Sequence, residues 1–237
     1  MRIVNKFSAD CIRQVTVKDT IILHYTAGGT LSGAEAELKK PDTINIHYIL
    51  DRDGKAYRYI DESHWAYHTG ANNWNKRSIG IEIVNWGQLL DVNGMYLPWT
   101  RRASQAVPVE MTEKCLMFRG SEYYEKLTPD QILTLPELIA DIMSRHDIIH
   151  IKTHAEVNTG KADFPPDHGI YAVIDSFIGD RAEFYDYKTT VIPEGRERNY
   201  SLTEIQNRIN HMIKFNGWKN EELSRLITYR TKTKKGT

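Results

Sequence analysis

Short apolar runs of strand length alternate along this chain with runs at helical spacing, and this alternation restricts the fold more than any other feature. The run "IILHYTAGG" (residues 21–29) stops at a Gly pair, and the helix-like "LSGAEAELKK" (31–40) that follows is closed by Pro41. "INIHYILDRDGKAYRYI" reads as two strands joined at Asp53-Gly54, a pair suited to a tight hairpin turn. "SIGIEIVNWG" (78–87) is a further strand, with Ile79, Ile81 and Ile83 on one face and Gly80 and Glu82 on the other. Thr128 and Pro129 supply an N-cap and a first-turn proline, and Ile132, Leu135, Leu138, Ile139, Ile142 and Met143 continue at helical spacing. Pro136 inside that pattern predicts a kink or a break. "IIHIKTH" (148–154) is another strand, leading into a loop rich in Gly, Pro and Asp up to His168. Residues 88–126 show no clear period and predict a long loop with one small hairpin at "DVNGMYLPW".

Interleaved strands and helices predict an α/β domain over residues 1–180, with a central mixed β-sheet flanked by helices. Beyond it, Ser201 and Glu204 stand in capping-box register, and Leu202, Ile205, Ile209, Met212 and Ile213 form one apolar stripe. Gly217 separates a second short helix, so residues 181–237 predict a C-terminal helical hairpin extension with a basic tail.

Composition narrows the function classes. Lys plus Arg and Asp plus Glu are both 31, so no net charge draws the chain to nucleic acid. No apolar run approaches the ~20 residues of a membrane span, and the first residues, "MRIVNKFSADCIRQ", lack the apolar core of a signal peptide. With two cysteines, Cys11 and Cys115, a disulfide framework is not expected. These features predict a soluble chain made in the cytoplasm.

The histidine in "IILHYT" poses the functional question. Along a strand, Ile22, His24 and Thr26 share one face, which turns polar where the chain leaves the sheet. Such a histidine is either a core residue donating to a backbone carbonyl or a metal ligand with partners elsewhere. A catalytic zinc takes three protein ligands and keeps one position open. His154 at a second strand end and Asp163, nine residues later in a turn-rich loop, could complete a His-His-Asp set, with Lys161 beside it. Nine histidines also permit accidental combinations, so separate core and surface histidines remain the alternative at this point. Glu82 is a carboxylate on an isoleucine-rich strand, costly to bury unless something polar meets it.

The ordered motifs "IILHYTAGG", "INIHYILDRDGKAYRYI", "HWAYHTGAN", "SIGIEIVN" and "KTHAEVNTGKAD" resemble those of zinc-dependent N-acetylmuramoyl-L-alanine amidases of the type-2 family. That family includes phage lysozyme amidases and peptidoglycan recognition proteins, and the resemblance covers roughly residues 18–175. It implies that His24, His154 and Asp163 hold Zn2+ and that Thr26 is the hydroxyl residue accompanying the first ligand. It implies Glu82 as the catalytic glutamate and Lys161 as the lysine near the scissile carbonyl. One branch has a catalytic tyrosine where this chain has Ile46, which favours the glutamate branch. His68 matches a cleft residue that contacts substrate, and Trp74 and Trp86 are candidates for stacking on sugar or peptide. His47 reads as a core residue or one lying behind the ligands, and His64 and His168 as surface or loop residues. Two departures concern the loop: it is one residue shorter than usual, and Phe164-Pro165 stands where Pro-Gly is common.

The implied reaction is hydrolysis of the amide between N-acetylmuramic acid and L-alanine of peptidoglycan. The implied partner is peptidoglycan or a muropeptide, with no nucleic acid and no membrane span, and the oligomeric state is left open. An insertion of phage type points to an endolysin that reaches the cell wall on release. The alternatives are a cytoplasmic muropeptide-recycling amidase and a non-catalytic peptidoglycan-binding module.

Overall fold

Two strands with almost no exposed surface form the centre of the molecule. The computed structural model describes residues 3–6, 15–38, 45–158, 160–161, 163–165 and 167–178. In chain order these form β1 (Ile3–Asn5), β2 (Thr20–Tyr25), α1 (Leu31–Leu38), β3 (Tyr48–Leu50), β4 (Ala56–Arg58), α2 (Asn72–Arg77), β5 (Ser78–Ile83), β6 (Gln88–Val92) and β7 (Met95–Leu97). β8 (Thr112–Phe118), β9 (Ser121–Glu125), α3 (Pro129–Met143), β10 (His150–Thr153), α4 (His154–Val157) and α5 (Ile170–Ile178) follow. The chain divides into two units, Met1–Ile170 and Tyr171–Thr237. The expected boundary near residue 180, the hairpin from Ser201 and Cys11 lie outside the described residues.

The main sheet has six strands in the order β1-β4-β3-β5-β2-β10. Its strands pair in parallel except β3 with β4, which the Asp53-Gly54 turn joins as the expected hairpin. This is the mixed α/β sheet that the sequence predicts. The central strands are apolar because both faces are covered: Ile21, Ile22, Leu23, Ile79, Ile81 and Ile83 are fully buried. Ala34 of α1 packs with Ile46, Ile49 and Val84, flanked by Leu31, Leu38 and Tyr59.

α3 begins with a reciprocal capping box between Thr128 and Gln131 and continues through Pro136 as one helix, so the expected break does not occur. An internal proline costs ~3 kcal/mol. Burial of Leu135, Leu138, Ile139 and Ile142 on one face, at ~1.5–3 kcal/mol each, outweighs it.

Residues 88–126 correct the sequence reading more strongly. They form a second, antiparallel sheet in the order β7-β6-β9-β8. The signal was weak because β8 buries only Cys115, leaving no clean alternation of apolar and polar residues. The turns are legible in retrospect, since Asn93-Gly94 and Arg119-Gly120 all take positive φ. Arg52 ties this sheet to the main one. Its guanidinium donates two 2.8 Å hydrogen bonds to Glu125, and its Nε donates to the carbonyl of Gly29 at 2.9 Å.

On the other side of the core, the Glu62 carboxylate is buried and receives hydrogen bonds from Arg145 at 2.7 and 3.0 Å, from His146 at 2.8 Å and from the Tyr48 hydroxyl. Among the described residues no helix is long and apolar enough to cross a membrane.

Candidate active site

The register of the central strands sets the site. His24, at the end of β2, lies directly opposite Glu82 of the parallel neighbour β5. On the other flank, β10 pairs with β2 and hands the chain to α4, whose first residue is His154. Three strand ends therefore deliver an imidazole, a carboxylate and a second imidazole to one edge of the sheet. His24 and His154 meet there with their Nδ1 atoms 2.9 Å apart.

The hydrogen-bond chain behind these rings fixes where their protons are. The Ser78 hydroxyl donates to the carbonyl of Trp74 at 2.6 Å, so its oxygen can only accept from His68 Nε2, 3.0 Å away. His68 Nδ1 is then a bare lone pair and accepts from His24 Nε2 at 2.9 Å. His154 Nε2 faces the carbonyl of Thr69 at 3.2 Å and must also carry its proton. Burial, reinforced by the His154 imidazole and Lys161, holds the pKa of His24 well below the ordinary histidine value. Burial likewise lowers His68 and His154, so all three rings are neutral at pH 7. The proton count thus leaves two lone pairs facing each other between His24 and His154. Two such acceptors repel unless a cation sits between them, and a ligand imidazole held through its other nitrogen is the arrangement found around metals.

Glycine makes this stacking of rings possible. A Cβ on Gly80 would lie 2.6 Å from His68 Nδ1 and 2.3 Å from Ile46 Cδ1. Ile46 has freedom to turn away, but His68 is pinned between His24 and Ser78. Gly80→Ala is therefore expected to cost about 1–3 kcal/mol of stability and to push His68 off His24. Urea denaturation together with ¹⁵N shifts of the ring nitrogens checks both effects, and an unchanged ring pattern would show that the sheet yields instead.

Asp163 is buried, and its carboxylate accepts from the backbone N–H groups of Ala155 and Phe164, both at 2.9 Å. Burial pushes its pKa up to about 7 despite these bonds. Glu82 is raised further, to about 8, by burial and then by the nearby charge of Asp163. Its Oε2 is sealed from solvent and has no hydrogen-bond partner among the described residues. Lys161 is exposed, close enough to His24 and His154 to depress both. Among the described residues no group of three or more His, Cys, Asp or Glu side chains is placed to hold a metal ion. The structure brings two of the three expected ligands into contact and leaves Asp163 on its backbone donors.

The remaining expected residues take varied places. His68 is 2 % exposed with both ring nitrogens engaged, which puts it beneath His24. The Thr26 hydroxyl braces the loop after β2, donating to the carbonyl of Gly28 at 3.0 Å. Trp74 lies on α2 with the Arg77 guanidinium over its ring at 5.3 Å, and Trp86 packs against Gly29. His47 is a buried brace that accepts from the Gly80 N–H at 3.0 Å and donates to the carbonyl of His64 at 2.9 Å. His168, expected as a surface or loop residue, lies in the loop before α5 but is 1 % exposed and is held by Glu113 at 2.8 Å. Ser78 and Thr69 had no sequence signal, because their roles come only from what the fold sets beside them.

Comparison with known proteins follows the same line. Residues 14–166 match the family model described as N-acetylmuramoyl-L-alanine amidase. A comparison with curated proteins gives no match. Among solved structures, the amidase LysC from Clostridium intestinale is 18% identical, with a TM-score of 0.45, covering 70% of this chain and 92% of that one. A mutant endolysin from Bacillus subtilis is 19% identical, with a TM-score of 0.45, covering 69% and 89%. The amidase AmiD from E. coli, solved with an anhydro-muropeptide substrate, is 23% identical, with a TM-score of 0.42, covering 59% and 49%. With the family match running from before β2 to just beyond Asp163, this chain belongs to the N-acetylmuramoyl-L-alanine amidases.

Proposed function

We propose that this amidase works on peptidoglycan with one zinc ion held by His24, His154 and Asp163, with Glu82 as its proton carrier and Lys161 as its oxyanion partner. The observation that carries the reading is the 2.9 Å approach of His24 Nδ1 to His154 Nδ1, which the tautomers inferred from the surrounding hydrogen bonds make a pair of facing lone pairs. Their donor type suits zinc, and Asp163 is the buried carboxylate that would complete the set. Zinc, when bound, supplies polarisation of the scissile carbonyl and a water of pKa about 7.

The chain's own groups do the rest. Glu82 offers an oxygen that no described protein group occupies, facing the end of the strand that carries His24. It takes a proton from the attacking water and delivers it to the departing amine of L-alanine, a role suited to a group poised near neutral pH. Lys161 places a cation near the oxygen that becomes negative as the carbonyl is attacked. Thr26 and the glycines after it keep the strand end in shape, and His68 keeps His24 Nδ1 turned outward.

The test is metal binding in the purified full chain. One zinc per chain is expected, with affinity lowered at least ~100-fold in His154→Ala, as read by chelator competition. Undiminished zinc in that variant would overturn the ligand set. Within the peptidoglycan class we favour an endolysin-type role on intact wall, on the resemblance of the inserted segment to phage-type members. Intact sacculi and soluble muropeptides digested side by side, with products identified by mass, decide this: rapid release of stem peptide from sacculi is expected, and activity confined to soluble fragments would make the chain a recycling enzyme.

A further inference from the structure

The loop after β2, residues 26–29, is held by several main-chain and side-chain hydrogen bonds. The Thr26 N–H donates to the carbonyl of Ile83 at 3.0 Å, and the Gly28 N–H to that of Asn85 at 3.3 Å. The Gly29 carbonyl is taken by Arg52, and the Trp86 ring lies so close to Gly29 that a Cβ there would stand 2.8 Å from it. Ala27, the residue between, has a positive φ of 50°. Its carbonyl accepts the indole N–H of Trp99 at 2.8 Å.

Trp99 differs from every other partner of this loop in being 68% exposed. Its backbone is fixed as firmly as its edge. It follows Pro98 in a turn closed by a 2.8 Å hydrogen bond from the Arg101 N–H to the Pro98 carbonyl, and Arg101 takes a φ of 56° there. Thr100, next in the turn, donates to Gln105 at 2.5 Å. The indole is thus oriented by its N–H and by its turn, while its broad face stays in water. Leaving that much apolar surface wet forfeits burial, and a face already fixed in place loses little entropy when something settles on it.

We propose that Trp99 is the platform on which the enzyme seats the sugar ring of its substrate. The indole is hydrogen-bonded to the loop that leaves the strand end carrying His24, three residues further along the chain. The scissile amide joins L-alanine to a lactyl group borne on N-acetylmuramic acid. On the sugar side of that bond, the pyranose ring is the group with a flat face of C–H bonds. Those C–H groups are drawn to the negative face of an indole π system. Trp74 and Trp86, the tryptophans that the sequence suggested for this task, have ring surface committed to Arg77 and to Gly29.

The experiment compares two substrates that share the scissile bond, muramyl dipeptide and the D-lactoyl dipeptide that lacks the sugar, using the zinc-loaded full chain. Trp99→Ala is expected to raise KM for muramyl dipeptide about tenfold, with kcat and zinc content retained, and to leave KM for the lactoyl dipeptide unchanged. Trp99→Phe, which keeps an aromatic face, should recover part of the loss. A second readout needs no turnover: titration with muramyl dipeptide should shift the indole emission of the parent and not that of Trp99→Ala. An equal rise in KM on both substrates would make Trp99 a brace for Ala27, and an unchanged KM on muramyl dipeptide would remove it from the site. A parent chain that takes up no zinc on titration yet shows the emission shift would overturn the zinc reading and leave the platform standing.

Discussion

Glu82→Gln is expected to lower kcat by ~10²- to 10⁴-fold while zinc content and the melting curve stay as in the parent. Glutamine matches the neutral carboxyl in size, and burial already favours that neutral form in the resting protein by raising the pKa of Glu82 to about 8. The substitution therefore adds no new strain to β5. It removes the one thing the amide cannot do, which is to take a proton from water and return it to the leaving nitrogen. Release of stem peptide from muramyl peptides, with zinc measured on the same samples, gives the answer. A variant that hydrolyses at the parent rate would show that the proton travels through another group.

The second large effect concerns stability and not chemistry. Glu62 is 4% exposed, and burial alone would raise its pKa; hydrogen bonds from Arg145, Tyr48 and His146 outweigh burial and hold it at about 2. Against the ordinary value of 4.5 this depression is worth about 3 kcal/mol, less whatever water takes back, since the Arg145 side chain is 39% exposed. The folded-state pKa lies below the unfolded one, so the contribution is fully present above pH 4.5 and disappears as the pH falls towards 2. Glu62→Gln should cost most of it at pH 7, and the gap between variant and parent should close steadily below pH 4.5. Urea titrations at several pH values measure this. A gap that is constant with pH would mean that packing of the side chain, and not its charge, is what matters.

Much of this molecule could be read from its residues because burial and catalysis leave different marks on a strand. β2 and β5 are apolar on both faces, as covered strands must be, so His24 and Glu82 stand out as polar residues where apolar ones would pack. The same logic failed for residues 88–126: β8 is half in water and carries no alternation, so the hairpin it makes with β9 across Arg119-Gly120 shows only in its turn. Pro136 misled because a local rule was weighed without the four buried residues that overrule it. The burial of His168 in its loop could not be read because Glu113, which holds it, lies 55 residues away in sequence. Trp99 carried no motif at all, and its interest comes from one hydrogen bond to Ala27 and from the exposure of its face. Motifs report residues that react, whereas groups that orient others are defined by neighbours that only folding supplies.

The pairing of His24 with Glu82 across adjacent parallel strands has a further consequence. Their separation is set by a ladder of main-chain hydrogen bonds in the middle of the sheet, so neither can shift without shearing the core. Asp163 and Lys161 answer to a different authority, a short loop held by local contacts such as those of Ala155, Phe164 and Asn158. The centre is therefore half anvil and half hand. On the proposed roles of Asp163 and Lys161, substitutions in the loop are expected to retune how closely it grips an ion or a carbonyl without disturbing the pair on the strands, which leaves room for substrate preference to drift while the chemistry stays in register.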